Sequence, residues 1–379
     1  MKKRADTLKL SAKLYGASIL ERLQALDWQQ GSSAPLIIEL DPTEHCNLAC
    51  LGCVSEDLIA NKQSFSNTRL MALGHEFIAA GVKGVVLIGG GEPLAHPKVG
   101  ELITLLGEHG IHVGLTTNGT LIHKYLTPIA RYVNWTRVSM DAGCDATFKR
   151  LRPAVGGASH FYKVIENMRL LAKEKTGRLG YSFLIRTEAD GFNITSNIDD
   201  LYPAACLAKE IGCDYFEVKP SNRYYGGVDH YLVVHSKENM ARATQEIERL
   251  MELESDTFVI LRSVNLNYSL AGLSKHEQPK DYHSCPVADL RTLISPSGVY
   301  VCPYFRGRES MRVGSVVDQS LQDMWRGEQR RQVMEELDPS IHCGMHCIRH
   351  ESNLALFDMQ RKLAAGENLQ ANDSEDPFI

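Results

Sequence analysis

The amino-acid sequence predicts an α/β fold: a partial (β/α)6 barrel followed by a small C-terminal domain built from a β-hairpin and a helix. Three observations carry this. From residue 36, short apolar, β-branched runs alternate with helical patterns, as repeated βα units of a parallel sheet do. The chemistry-bearing motifs each begin where one of these runs ends, as expected at the C-terminal mouth of a barrel. After residue 220 the alternation stops, and cysteines reappear around a hairpin pattern.

Residues 1–35 read as an N-terminal helical extension. The segment opens with basic residues, but Lys13 and Glu21 bracket too short an apolar stretch for a signal peptide, and an amphipathic helix fits better. Residues 36–220 carry six strand candidates, at 36–41, 85–89, 112–117, 134–141, 180–187 and 214–220, and form the barrel core. Residues 221–284 read as a linker with the turn-like NRYYGG and a charged helix over 237–254. Residues 285–350 contain RTLISPSGVYVCPYF, a hairpin turning at Pro296, Ser297 and Gly298. Residues 351–379 read as a helix and a polar, acidic, disordered tail.

Composition narrows the function. Net charge is −5, from 41 basic and 46 acidic residues, with no long basic run, which argues against a nucleic-acid partner. No stretch reaches the roughly 18 uninterrupted apolar residues that spanning a membrane requires, so no membrane partner and a cytoplasmic location are expected. Ten cysteines in such a chain point to metal or catalytic thiols in place of a disulfide framework.

Cys46, Cys50 and Cys53 leave the first strand in HCNLACLGC. Three soft thiolates at this spacing can wrap an iron–sulfur cubane and leave one iron open to a bound molecule. A zinc knuckle or buried unligated thiols are the plainer alternatives. Gly89, Gly90, Gly91, Glu92 and Pro93 end the second strand; the glycines let backbone groups approach a ligand, or simply form a tight turn. Thr116, Thr117, Asn118 and Gly119 end the third strand, and Ser139 and Asp141 the fourth, where ordinary turn chemistry is the alternative. Arg186 ends the fifth strand.

The CxxxCxxC loop after the first strand of a βα array resembles the radical S-adenosylmethionine (SAM) superfamily. The resemblance implies a TIM-like partial barrel and a [4Fe–4S] cluster on Cys46, Cys50 and Cys53 that chelates SAM and cleaves it to a 5′-deoxyadenosyl radical. It also implies that GGGEP holds the SAM ammonium group, that Asn118 and Ser139 contact SAM, and that Arg186 pairs with the SAM carboxylate. Where the family often has an aromatic residue before the last cysteine, this chain has Gly52, so adenine stacking must come from elsewhere or be absent.

Cys285, Cys302, Cys343 and Cys347 come from separate segments and can form a closed, four-thiolate site. The pattern resembles the twitch domain, the shortened SPASM extension, which binds one auxiliary [4Fe–4S] cluster. Three residues separate Cys343 from Cys347 where two is common, which leaves open His346 as a substitute ligand, or zinc in place of iron–sulfur. His342, His346 and His350 read as neighbouring or exposed histidines.

Cys144 lies near the expected barrel mouth, as a plain loop residue or as a hydrogen donor to a substrate radical. Cys206 and Cys213 read as packed small hydrophobes. Lys219, Arg223, Tyr224 and Tyr225 could line a polar, aromatic pocket or a loop at a domain junction.

The expected function is a radical SAM oxidoreductase-type enzyme. Its radical would abstract a hydrogen from a small molecule, such as a sugar, aminocyclitol or nucleotide-like substrate, while the auxiliary cluster accepts an electron. A reductase such as flavodoxin or ferredoxin would supply the initiating electron. The alternatives are an epimerase, a dehydratase or a peptide-modifying enzyme; against the last, the 35 residues before the first strand are fewer than a leader-binding domain needs. From another class, a non-catalytic iron–sulfur or zinc protein remains.

Overall fold

The computed structural model describes residues 10–24, 26, 32–225, 229–272, 280–343 and 347–378. All six expected strands form: β1 (Ile37–Leu40), β2 (Gly84–Leu87), β3 (His112–Thr117), β4 (Val133–Ser139), β5 (Arg178–Ile185) and β6 (Tyr215–Pro220). They pair in parallel and in chain order, with Ile38 beside Val85, and Val85 beside Val113. β1 and β2 are buried at every position, which is how strands covered on both faces read.

Helices cover the outer face. α1 (Ala17–Gln24) belongs to the N-terminal extension; α2 (Asn67–Ala79), α3 (Val99–Glu108), α4 (Leu126–Tyr132), α5 (Asp145–Leu151), α6 (Phe161–Glu174) and α7 (Leu201–Ile211) follow. In α2 the buried Leu70, Leu73, Gly74 and Phe77 recur at helical spacing and form the core-facing stripe. Cys213 is buried after α7 and Cys206 half-buried on it, as packed small side chains.

The sheet continues beyond the six strands at both edges. Residues 221–284, expected as a linker and helix, supply a hairpin of β7 (Asn222–Tyr225) and β8 (Asp229–Leu232), helix α8 (Lys237–Leu250), and β9 (Val259–Arg262), which pairs in parallel with β6. At the other edge β10 (Arg291–Ser295) pairs in parallel with β1, followed antiparallel by β11 (Gly298–Tyr300) and β12 (Arg312–Gly314). The expected C-terminal hairpin is thus fused to the barrel sheet. β1 would otherwise be an edge with unpaired backbone groups, and β10, buried at all five positions, satisfies it.

The tail expected to be disordered is instead docked, which corrects that reading. After α9 (His350–Ala364), the Asn372 amide N–H donates to Tyr15 O at 2.8 Å, its side chain donates to Ala12 O at 2.8 Å, and Asp376 pairs with Lys13 at 2.8 Å. Phe378 is buried and packs edge-on against Trp135, with ring centres 5.6 Å apart, and beside His112. Gly84 makes room for it, since a Cβ there would lie 3.0 Å from the Phe378 ring. Mean polarity hid one aromatic anchor and one ion pair, and these suffice to order a short segment.

Candidate active site

The Cys46–Cys53 loop is held from four strand ends. From the end of β2, the Glu92 N–H donates to His45 O at 2.8 Å. From β3, Asn118 donates through Nδ2 to Asn47 Oδ1 at 2.9 Å and lies 4.0 Å from Cys46 Sγ, while Asn47 donates to Thr120 Oγ1 at 2.9 Å. Beyond β4, Arg152 donates through Nη1 to Cys50 Sγ at 3.6 Å. Beyond β5, Arg186 donates to Leu51 O at 3.2 Å and through Nε to Asp190 at 2.8 Å. This is the mouth that the motif positions predict.

The glycines have a close-approach reason. A Cβ on Gly91 would lie 2.3 Å from His45 O and 2.5 Å from Glu44 C, so only glycine lets the two loops meet. The Glu92 carboxylate, 2% exposed, is taken up internally: it accepts from Leu94 N at 3.1 Å, Thr117 Oγ1 at 2.6 Å and Asn118 N at 2.7 Å. It therefore locks β2 to β3 and positions Asn118. Pro93, also buried, starts a short 3-10 turn behind it. Ser139 sits half-buried at the C-terminal end of β4.

Gly52 adopts φ +61°, and a Cβ there would lie 2.9 Å from Arg186 Nη2 and 3.0 Å from the Phe192 ring. An aromatic side chain from a distant loop thus covers the position where the sequence lacks one. Phe192 has no motif signal in sequence; only the fold brings it to Gly52.

Arg152 and Asp141 were also missed as a pair. Asp141 is buried in the left-handed region at φ +56°, accepts from Leu184 N at 2.8 Å, and takes Arg152 Nε at 2.8 Å and Nη2 at 2.5 Å. The adjacent Asp141 and Cys50 charges hold the Arg152 guanidinium ionised, against its burial. A cation is thereby fixed against Cys50, which favours its thiolate form.

Cys144 is not brought into this group. It precedes α5 with its thiol exposed, 3.5 Å from Thr147 Oγ1 and 3.7 Å from Asp200 Oδ2. Lys219 reaches Glu217 at 3.5 Å, and Glu217 reaches Arg137 at 3.4 Å. Burial, then Arg137, pushes the Lys219 amine down to about 8. The side chains of Arg223, Tyr224 and Tyr225 lie outside the described residues.

Cys285, Cys302, Cys343 and Cys347 line one cavity of about 60 Å³. A water needs roughly 10–15 Å³, so this cavity admits a group of several atoms. A sulfur-ligated cluster of several atoms fits this donor set and this volume. Asn353 of α9 grips the Cys285 segment, accepting from Val287 N at 3.0 Å with its Nδ2 3.5 Å from Cys285 Sγ. The Arg349 N–H donates to Cys347 Sγ at 3.3 Å.

Burial pushes the Cys285 thiol up to about 11 and Cys343 to about 12, and raises Cys302 and Cys347. Burial likewise raises Cys50, and Cys46 to about 12. Ligation requires thiolates, so loading either site is coupled to proton release. His342 accepts from Asp338 N at 3.0 Å, and His350 stacks on Tyr282; His346 lies outside the described residues.

The model of the radical SAM superfamily matches residues 40–190. Mycofactocin maturase MftC of Mycobacterium ulcerans is 24% identical over 333 residues, spanning 86% of this chain and 83% of that protein. Among solved structures, SuiB of Streptococcus suis bound to S-adenosylmethionine superposes with TM-score 0.60 at 15% identity, over 84% of this chain and 72% of that one. Native anSMEcpe with bound AdoMet and a peptide gives TM-score 0.56 at 16% identity, over 87% and 99%. Family match and mouth geometry agree: residues 40–190 of this chain form a radical SAM domain, a family whose members bind SAM on a [4Fe–4S] cluster.

Proposed function

We propose that this enzyme modifies a peptide by hydrogen abstraction. Cys46, Cys50 and Cys53 hold the SAM-binding cluster, and Cys285, Cys302, Cys343 and Cys347 hold the auxiliary one in a twitch-type region over 285–350. The carrying observation is the extent of the mycofactocin maturase match, which spans 86% of this chain and 83% of that protein. The structures of SuiB bound to precursor peptide SuiA and of anSMEcpe with a peptide also superpose over more than four fifths of this chain. These likenesses favour the peptide-modifying alternative over the small-molecule dehydrogenation expected from sequence.

When bound, cluster and SAM supply a 5′-deoxyadenosyl radical. The protein does the rest. Arg152 steadies the Cys50 thiolate, Glu92 fixes Asn118 beside Cys46, Arg186 and Phe192 wall the Gly52 side of the loop, and Arg137, Glu217 and Lys219 form a charged patch on β4 and β6. A reductase of the flavodoxin or ferredoxin type delivers the initiating electron.

The test is anaerobic reconstitution, then 5′-deoxyadenosine measured with SAM and dithionite, with and without a peptide library, with Cys46→Ala as control. Peptide-dependent deoxyadenosine, with a peptide that has lost two hydrogens, supports the proposal. Stimulation by sugars or nucleotides alone would return the assignment to small molecules.

A further inference from the structure

The auxiliary cavity has a lopsided charge lining. Among its described residues are three cations, Lys280, Arg291 and Arg349, and one carboxylate, Glu39. Glu39 stands on β1 of the barrel, 4% exposed, and receives Arg291 through Nε at 2.7 Å, while Arg349 Nη2 lies 3.8 Å away. Two guanidinium groups thus share one carboxylate at the boundary between barrel and cavity. Arg349 follows Cys347 by two residues, and its own N–H donates to that sulfur at 3.3 Å. Its Nη1 is buried with no hydrogen-bond partner among the described residues.

Fixed positive charge and N–H donors beside a cluster favour the form that carries one more electron. We infer that Arg349, held with Arg291 on the single carboxylate of Glu39, raises the reduction potential of the auxiliary cluster and so makes it an electron acceptor. The inference rests on the ligand assignment proposed above. It places a tuning device on β1, so that the charge state of the barrel strand is felt at the cluster. Arg349 acts through the cluster and is a positioning residue.

In a chain carrying Cys46→Ala, Cys50→Ala and Cys53→Ala, only the C-terminal cysteines can bind a cluster, and an EPR-monitored titration with dithionite reads its reduced-to-oxidised ratio at each solution potential. Arg349→Gln is expected to lower that ratio at least tenfold at fixed potential, which is 59 mV for one electron. Arg349→Lys is expected to restore most of it, and Glu39→Gln to shift it the opposite way. A merely structural role would move iron content and would not give opposite signs. Arg349→Gln with full iron and an unchanged ratio overturns the inference. Should Arg349→Gln fail to hold iron, Glu39→Gln decides: a raised ratio supports the tuning, an unchanged or lowered one overturns it. Loss of iron from both variants also overturns it, by assigning the trio a structural role. No iron in the triple-alanine parent sinks the ligand assignment, and the inference with it, before either variant is made.

Discussion

Arg152→Met tests the coupling between the cluster loop and β4. The guanidinium makes a two-point contact with Asp141, at 2.8 and 2.5 Å, with both side chains largely buried. For charge centres about 4 Å apart at an effective dielectric of about 20, Coulomb attraction is about 4 kcal/mol. Removing one partner of a buried pair typically costs about 3–5 kcal/mol, because the other charge is left without compensation. Arg152→Met should therefore destabilise the protein by about 3–5 kcal/mol. Asp141→Asn should cost less, since asparagine tolerates the left-handed backbone and Arg152 keeps the Cys50 sulfur. The double variant should be more stable than the summed single costs by about 1–3 kcal/mol. Urea denaturation of the apo protein under reducing conditions, compared at constant m, measures all four corners. Additive single costs, or an Arg152→Met change below about 0.5 kcal/mol, would refute the pairing as an energetic link.

Three other outcomes follow from the geometry. Phe378→Ala should cost about 2–4 kcal/mol in the same denaturation assay while leaving iron incorporation unchanged, because the ring packs against Trp135 and Gly84 and touches neither cysteine group. Gly91→Ala should sharply reduce SAM retention and iron content after reconstitution, since its Cβ would sit 2.3 Å from the His45 carbonyl and backbone cannot yield as a flexible side chain can. Lys219 in the fold releases its proton near pH 8 instead of 10.5, so over that window the folded chain binds fewer protons than the unfolded one and stability rises with pH. The parent-minus-Lys219→Met difference in unfolding free energy should climb between those values by up to about 1.4 kcal/mol per pH unit; a flat difference would show that Lys219 titrates normally.

Sequence by itself determined the six βα units, the two cysteine groups and the placement of each motif at a strand end. It could do so because strand periodicity, glycine punctuation and ligand spacing are local properties. Tertiary structure decided what local pattern cannot encode. β10 completes the sheet beside β1 across some 250 residues of chain, so the hairpin is part of the barrel. Phe192 covers Gly52, Arg152 meets Cys50, and Arg349 meets Glu39, each pair far apart in sequence and joined only by loop geometry. The tail shows the same division: its composition averages to disorder, yet Phe378 finds a slot that exists only because Gly84 and Trp135 lie on neighbouring parts of a folded barrel. Long-range pairing is set by the sum of the packing, and no single segment carries that sum.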